Sequence, residues 1–166
     1  QQTTFPDWNF DADGSGAGSV GDWIMAGYPH LQIEWSDTIT NPVQLQMMAL
    51  DLDAKYWLAN GIDASETRQW NYDGSVYLGF DPVGDSTVAF SGALSGRGEY
   101  VTGLMINRSA EDNVGLLGYV SDSADLDNVW LVGAQITGRD HVGALAGWVD
   151  GAATIDHCSA DAPATA

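Results

Sequence analysis

The stretch of the chain best suited to binding an ion is acidic and glycine-rich and covers residues 11–22 (DADGSGAGSVGD). Oxygen-bearing residues recur along it at alternate places, and Ca²⁺ takes about six to eight oxygen ligands. Glycine at the sixth place permits the sharp turn of such a loop. We therefore predict bound calcium here. An acidic flexible turn is the alternative, because the last ligand is Asp rather than the usual bidentate Glu. The predicted ligands are Asp11, Asp13, Ser15, the Ala17 carbonyl and Asp22.

A second candidate site is a carbohydrate-binding surface, predicted from the tryptophans. The chain has seven of them, concentrated in its first half. Tryptophan combines a large apolar ring with one polar N–H, so it can stack on a sugar ring or fill a core. Packing in the core or at the end of the domain is the alternative for most of these rings. The candidate residues are Trp8, Trp23, Trp35, Trp57 and Trp70.

Groups of aspartates raise the possibility of a polysaccharide-cleaving enzyme, because a pair of carboxylates can act as acid and base on a glycosidic bond. Such a pair needs a defined separation and one perturbed pKa, which a sequence does not give. Most of these residues stand among turn-forming residues, where an Asp side chain bonds to the backbone. We therefore expect no enzyme activity. The groups are Asp51/Asp53, Asp122/Asp125/Asp127 and Asp150/Asp156.

Two further positions bear on modification. Cys158 is the single cysteine, so an internal disulfide is excluded, and a partner thiol on another chain or a small buried thiol are the alternatives. Asn107-Arg108-Ser109 is an N-glycosylation sequence, and chance occurrence is the alternative.

The charge of the chain excludes one class of partner. There are 23 acidic and 5 basic residues, and the formal net charge is −18. A phosphate backbone would be repelled by this field, so nucleic acid is not a predicted partner. The apolar stretches are far shorter than the roughly 20 residues of a membrane helix, so membrane insertion is not predicted either. The few cations are scattered: Lys55, Arg68, Arg97, Arg108 and Arg139.

The elements that must position these residues are mostly strands. Helix-forming residues with helical spacing occur only in Pro42 to Trp57, which predicts one short helix near the N-terminal third. Short apolar runs follow, separated by Gly, Asp, Ser and Asn, as in strands linked by turns. Because several runs are apolar almost throughout, parallel strands are favoured over hairpins. The runs cover residues 76–80, 88–94, 100–106, 114–120, 129–136 and 142–149.

Internal repetition gives the most specific prediction. Residues 114–120 (VGLLGYV) recur as 142–149 (VGALAGWV), and residues 125–129 (DLDNV) recur as 154–158 (TIDHC). A period of this length indicates units that stack, each covering the open apolar edge of its neighbour. We predict an all-β fold, a parallel β-helix (β-solenoid) with glycine-rich coils of about 28 residues. Two similar hairpins of a β-sandwich are the alternative.

These blocks, VGLLGY (114–119) and VGALAGW (142–148), each followed by an Ile/Leu-Asp-Asn/His element, resemble GLUG repeats. Such repeats occur in bacterial secreted and surface proteins related to filamentous-haemagglutinin-type adhesins. Residues 45–84 and 90–106 resemble the usual lead-in, and residues 23–31 resemble the end of a preceding repeat region. Leu94-Ser95-Gly96 and Gly61 depart from the family pattern, which weakens any ligand role there. The resemblance implies a parallel β-helical fold, an extracellular setting and adhesion, and no catalytic set.

The predicted organisation has three parts: an acidic, Trp-rich segment over residues 1–40, the β-solenoid over 41–160 and a flexible tail over 161–166. We expect a structural or adhesive module, secreted or on the cell surface, and either a fragment of a larger protein or an assembling subunit. Its expected partners are neighbouring repeats, identical subunits or surface glycans. A carbohydrate-binding module and a β-helical polysaccharide-cleaving enzyme are the two alternative functions.

Overall fold

The computed structural model describes residues 23–26, 28–31, 34–162 and 164–165. Strands of two to four residues dominate it. They form where apolar and β-branched residues alternate with polar ones, and Gly, Asp and Asn end them. In chain order the strands are β1 Trp23–Ala26, β2 Tyr28–Leu31, β3 Thr38–Ile39, β4 Lys55–Leu58, β5 Ile62–Asp63, β6 Ala93–Ser95, β7 Tyr100–Thr102, β8 Met105–Asn107, β9 Asp112–Val114, β10 Leu117–Val120, β11 Asp125–Asp127, β12 Trp130–Val132, β13 Gln135–Thr137, β14 Asp140–Val142, β15 Ala146–Val149, β16 Thr154–Asp156, β17 Ser159–Asp161 and β18 Ala164–Thr165.

One α-helix, α1, covers Pro42–Met47 and continues into a 3₁₀ turn at Met48–Leu50; a second 3₁₀ turn covers Ser65–Gln69. The side chain of Asn41 caps α1 by accepting a 2.9 Å bond from the Gln44 N–H. The helix is shorter than the predicted region of residues 42–57. Lys55–Leu58 is strand β4, because pairing with β3 and β6 outweighs a weak helical pattern.

Nearly all strand pairing is parallel. The sheets have the orders β16-β11-β6-β4-β3, β17-β12-β7-β5, β18-β13-β8, β10-β15 and β14-β9, and the β1–β2 pair is antiparallel. The predicted all-β, mainly parallel fold with one short helix is thereby confirmed for the described residues. Pairing also reaches past the expected domain limits, since β3 lies before residue 41 and β18 lies after residue 160.

Strands that are consecutive along the chain pair with strands one repeat further on, in the same order. We call β9–β13 (residues 112–137) the inner row and β14–β18 (residues 140–165) the terminal row. Each strand of the inner row pairs with the corresponding strand of the terminal row. The interval between partners matches the predicted period of about 28 residues. The preceding interval is slightly longer, since Leu94 pairs with Leu126 and Val101 pairs with Leu131.

The corners between strands repeat as well. Asn128 and His157 both have positive φ, at 52° and 50°, and they follow the paired strands β11 and β16 directly. Asn113 and His141, the middle residues of the paired strands β9 and β14, also both have positive φ, at 58° and 52°. Left-handed backbone is uncommon outside glycine and favours Asn, Asp and His among the other residues. The sequence therefore turns the chain at matching places in both rows.

One hydrophobic core runs through the described strands. Its buried side chains come from alternate strand positions, as in Leu94, Leu126 and Leu131, each with at most 1% of its surface exposed. Helix α1 adds Leu45 and Met47 to the buried set, and Met48 follows from the 3₁₀ turn. The core thus lies between the parallel sheets and is covered by α1 near its N-terminal end.

Candidate functional site

The ligands of the predicted calcium loop, Asp11, Asp13, Ser15, Ala17 and Asp22, lie outside the described residues. Calcium binding there stays a prediction.

The tryptophans proposed to bind carbohydrate have separate surroundings where they are described. Trp70 is 2% exposed and stacks on Phe80, with 6.4 Å between ring centroids. Trp35 meets Tyr56 edge-to-face and donates a 3.3 Å hydrogen bond from Nε1 to its hydroxyl. Trp57 is half-buried, and Arg97 lies 4.8 Å from the centroid of its ring. Core packing therefore accounts for Trp70, which has no free ring face to offer a sugar. Trp8 and the side chain of Trp23 lie outside the described part.

Two other aromatic pairs lie closer to solvent, and sequence reasoning missed them. Tyr100 and Trp130 are partners in the β7–β12 register, with ring centroids 4.9 Å apart and Tyr100 45% exposed. The Nε1 of Trp130 donates a 2.9 Å hydrogen bond to the His157 carbonyl, which fixes the indole ring. Tyr119 and Trp148 form the same kind of pair between β10 and β15, at 6.2 Å. The sequence signal was available, since Tyr119 and Trp148 hold the same place in the two repeated blocks.

An acidic group lies on the sheet formed by β6, β11 and β16. Asp127 and Asp156 are partners in the β11–β16 register. Their carboxylate oxygens and a ring nitrogen of His157 all lie within 4.8 Å of one another, the one such trio found among the described residues. Asn128 Nδ2 donates to Asp127 at 2.9 Å, and His157 Nδ1 lies 2.8 Å from Asp156. This trio is mostly exposed, and its geometry suits either a bound cation or carboxylates held by their own neighbours.

The sequence-predicted aspartate groups are only partly brought together. Asp127 and Asp156 join across the strand register, whereas Asp122 and Asp125 are not part of that trio. Asp51 and Asp53 do interact: a hydrogen bond that protonated Asp51 donates to the Asp53 carboxylate, together with partial burial, raises the pKa of Asp51.

Arg108 is a buried cation whose two acidic partners, Asp81 and Glu111, line a groove. It is 7% exposed, donates a 3.1 Å bond from Nε to the Phe80 carbonyl, and pairs with Asp81 at 3.1 Å and Glu111 at 2.9 Å. The groove of about 680 Å³ beside it has an acidic rim that includes Asp81 and Glu111. Within the rim, Asp85 accepts the N–H groups of Thr87 and Val88. These carboxylates are thus already used to hold turns and to neutralise a buried guanidinium.

The single cysteine is part of the packing between the inner and terminal rows. Cys158 Sγ lies 3.6 Å from the Leu126 carbonyl and 3.3 Å from the Asp156 carbonyl. Burial is the main reason that the pKa of its thiol is raised, which disfavours the reactive thiolate form.

The described helices are all too short to cross a lipid bilayer.

Two proteins are similar to parts of the chain. Over 101 residues it is 43% identical to halomucin of Haloquadratum walsbyi. This match covers 58% of the chain and 1% of halomucin. Over 72 residues it is 36% identical to a putative Gly-rich membrane protein of Evansella cellulosilytica. This match covers 42% of the chain and 8% of that protein. The chain therefore spans a small part of either relative. No protein-family model matches it, and neither does any solved structure.

Proposed function

We propose that the chain is a segment of parallel β-solenoid that serves as a structural or adhesive module of a cell-surface or secreted protein. The observation that carries this proposal is the recurrence of the same strands, in the same order and in parallel register, from the inner row to the terminal row. Stacked repeats build long surfaces from one small unit, as surface proteins that span a distance require. The repeated corners at Asn128 and His157 support the same interpretation.

A location outside the cytoplasm is supported by the relatives. The net charge of −18 suits a salt-rich medium, where screening reduces the repulsion between the carboxylates. One similar protein is named halomucin and the other is named as a membrane protein. The resemblance to GLUG repeats supports the same setting.

A structural rather than catalytic role is supported by how the carboxylates are used. Asp73 and Asp85 each accept two backbone N–H groups within their own turns. Asp81 and Glu111 both pair with Arg108. Side chains committed in this way shape loops and are poorly placed to transfer protons to a substrate.

Labelling of intact cells tests the location. An antibody raised against this chain should label intact producing cells, or their medium, as strongly as permeabilised cells. An antibody against a cytosolic protein serves as the control and should label only the permeabilised cells. If the chain is detected only after permeabilisation, the proposed surface role is wrong.

Carbohydrate binding is the second candidate, and the Tyr100–Trp130 pair is the observation that favours it. The two rings lie 4.9 Å apart, and the Trp130 ring is held by its bond to the His157 carbonyl. A fixed aromatic pair at the surface can stack on the apolar face of a sugar. Trp130→Ala should then weaken binding to a glycan array by about tenfold, which is within the energy of one aromatic contact.

Val132→Ala is the matched control, because Val132 is an exposed residue of the same strand without a ring. It should bind glycans as the parent does. Absence of glycan binding by the parent, with and without calcium, would remove this candidate.

Incubation of the parent with polysaccharides tests the enzyme alternative. Release of new reducing ends would contradict the structural role.

A further inference from the structure

Among the described residues, the strands of the terminal row have strand partners on one side only. Strand β11 pairs with β6 and β16, whereas β16 pairs with β11 alone among the described residues. In the neighbouring sheet, β12 likewise pairs with both β7 and β17, whereas β17 pairs with β12 alone among the described residues. Within the described part of the chain, the outer N–H and C=O groups of the terminal row therefore have no strand to bond to, which is the condition in which an edge recruits another strand.

The side chains of this row show the same difference. Leu126 is 0% exposed, and Ile155, its partner in the next row, is 45% exposed. Val120 is 0% exposed, and its partner Val149 is 40% exposed. These residues keep the apolar character of the core positions and lack only the covering layer. The exposed face of the terminal row thus has the same pattern of apolar positions as the face of the inner row that the terminal row covers.

Resting on the proposed solenoid, we infer that the terminal row is a docking face for one further row of the same repeat, added in parallel register. Its occupant presents short parallel strands with apolar residues opposite Val149 and Ile155, as the inner row does on the other side. The interface would continue the β10–β15, β11–β16 and β12–β17 ladders without a change of geometry.

A second copy of this chain fits the face less well. At the N-terminal end of the described sheets, β3 and β5 also have one strand partner each, but their apolar residues Ile39 and Ile62 are buried. Helix α1 and its 3₁₀ turn add buried Leu45 and Met48 there, so that end presents no exposed apolar row. Two copies meeting through their terminal rows would be related by a two-fold axis and would pair these strands antiparallel. The ladders that the terminal row already makes are all parallel.

The chain itself supplies the test, in the form of a tandem variant. Thr137 pairs with Thr165, so by count Ala166 stands in the place of Gly138. A copy of residues 139–162 placed directly after Ala166 therefore keeps the register. Hydrogen exchange of the backbone amides in β15, β16 and β17 is measured in the parent and in the tandem variant. We expect exchange to slow by roughly tenfold or more in the variant, because a covered edge opens less often.

The control carries a scrambled version of the same added segment after Ala166, which preserves length and charge. It should leave the exchange of the parent residues unchanged. Unchanged exchange in the tandem variant as well would overturn the inference, as would a parent that forms dimers by light scattering with β15–β17 already protected. Neither result depends on the cell-labelling experiment, so the docking face and the surface role fail separately.

Discussion

The inner row and the terminal row have nearly the same sequence pattern and different surroundings. Leu126 and Ile155 occupy equivalent register positions, yet one is fully buried and the other is nearly half exposed. The difference arises because, among the described residues, β11 has strand partners on both sides and β16 has a partner on one side only. In stacked repeats, burial of a position is therefore a property of its neighbours and not of the residue itself.

The same comparison separates two uses of glycine. A Cβ at Gly96 would overlap the Asn128 carbonyl of the inner row, so this glycine permits close approach of two layers. Gly133 has a positive φ of 63°, and a Cβ there would meet open space. Glycine is required at position 96 because two layers of backbone pack closely there, whereas at position 133 it is favoured by the left-handed backbone of the corner.

The largest expected effect comes from truncating the inner member of the Leu126–Ile155 pair. Leu126→Ala should lower the free energy of unfolding by about 3 kcal/mol, because it removes buried methyl groups and leaves a cavity. Ile155→Ala should cost less than about 1 kcal/mol, since its side chain is already partly in water. Urea unfolding of both variants measures the difference. Equal losses would show that the terminal row is covered in solution.

The two glycines provide the next comparison. Gly96→Ala should lower the free energy of unfolding by roughly 3 kcal/mol, because the backbone of two layers must separate to admit the methyl group. Gly133→Ala meets no neighbour and should cost only about 1 kcal/mol, for its left-handed backbone. Thermal unfolding followed by circular dichroism distinguishes them. The comparison fails if Gly133→Ala is the more damaging change.

Much of the fold was predictable because it is repeated. The blocks at residues 114–120 and 142–149 can be aligned with each other directly from the sequence. The strands that they predict pair in parallel at nearly the predicted spacing. The longer interval before Leu126 was not predictable, since its sequence lacks the block that marks a period. The helix was predicted too long because β4 has a helical pattern but two strand partners.

The candidate sites were less predictable, since they depend on contacts between distant segments. Arg108 was one scattered cation in the sequence, and only folding brings Phe80 and Asp81 to its guanidinium. Likewise Trp70 and Trp130 are alike as residue types, and their neighbours decide that one is core and the other lies near solvent. The sequence thus indicated which residue types could form ion pairs and aromatic contacts. Only the fold shows which individual residues form them.

The smallest expected effect concerns an ion pair that joins the two rows. Arg139 Nε donates to Asp112 at 2.7 Å, between the first strands of the terminal and inner rows, and this hydrogen bond lowers the pKa of Asp112. A carboxylate with a lowered pKa in the folded protein stabilises it above the unfolded value of about 3.9, and this contribution is lost as the pH falls through the folded value. Arg139→Gln should therefore lower the melting temperature slightly at pH 7. The difference from the parent should disappear as the pH falls and Asp112 becomes protonated in the folded protein, and it should shrink in about 1 M salt.

Arg97→Gln is the matched control for this last change. It removes one positive charge from the same acidic protein, but Arg97 lies over the Trp57 ring, and no ion pair joins it to a carboxylate within the described residues. A general increase in repulsion would lower the melting temperature of both variants, with the same dependence on pH. A specific bond between rows predicts that only Arg139→Gln loses its effect in step with protonation of Asp112. Parallel pH profiles for the two variants would show that net charge, and not the Arg139–Asp112 bond, links these strands.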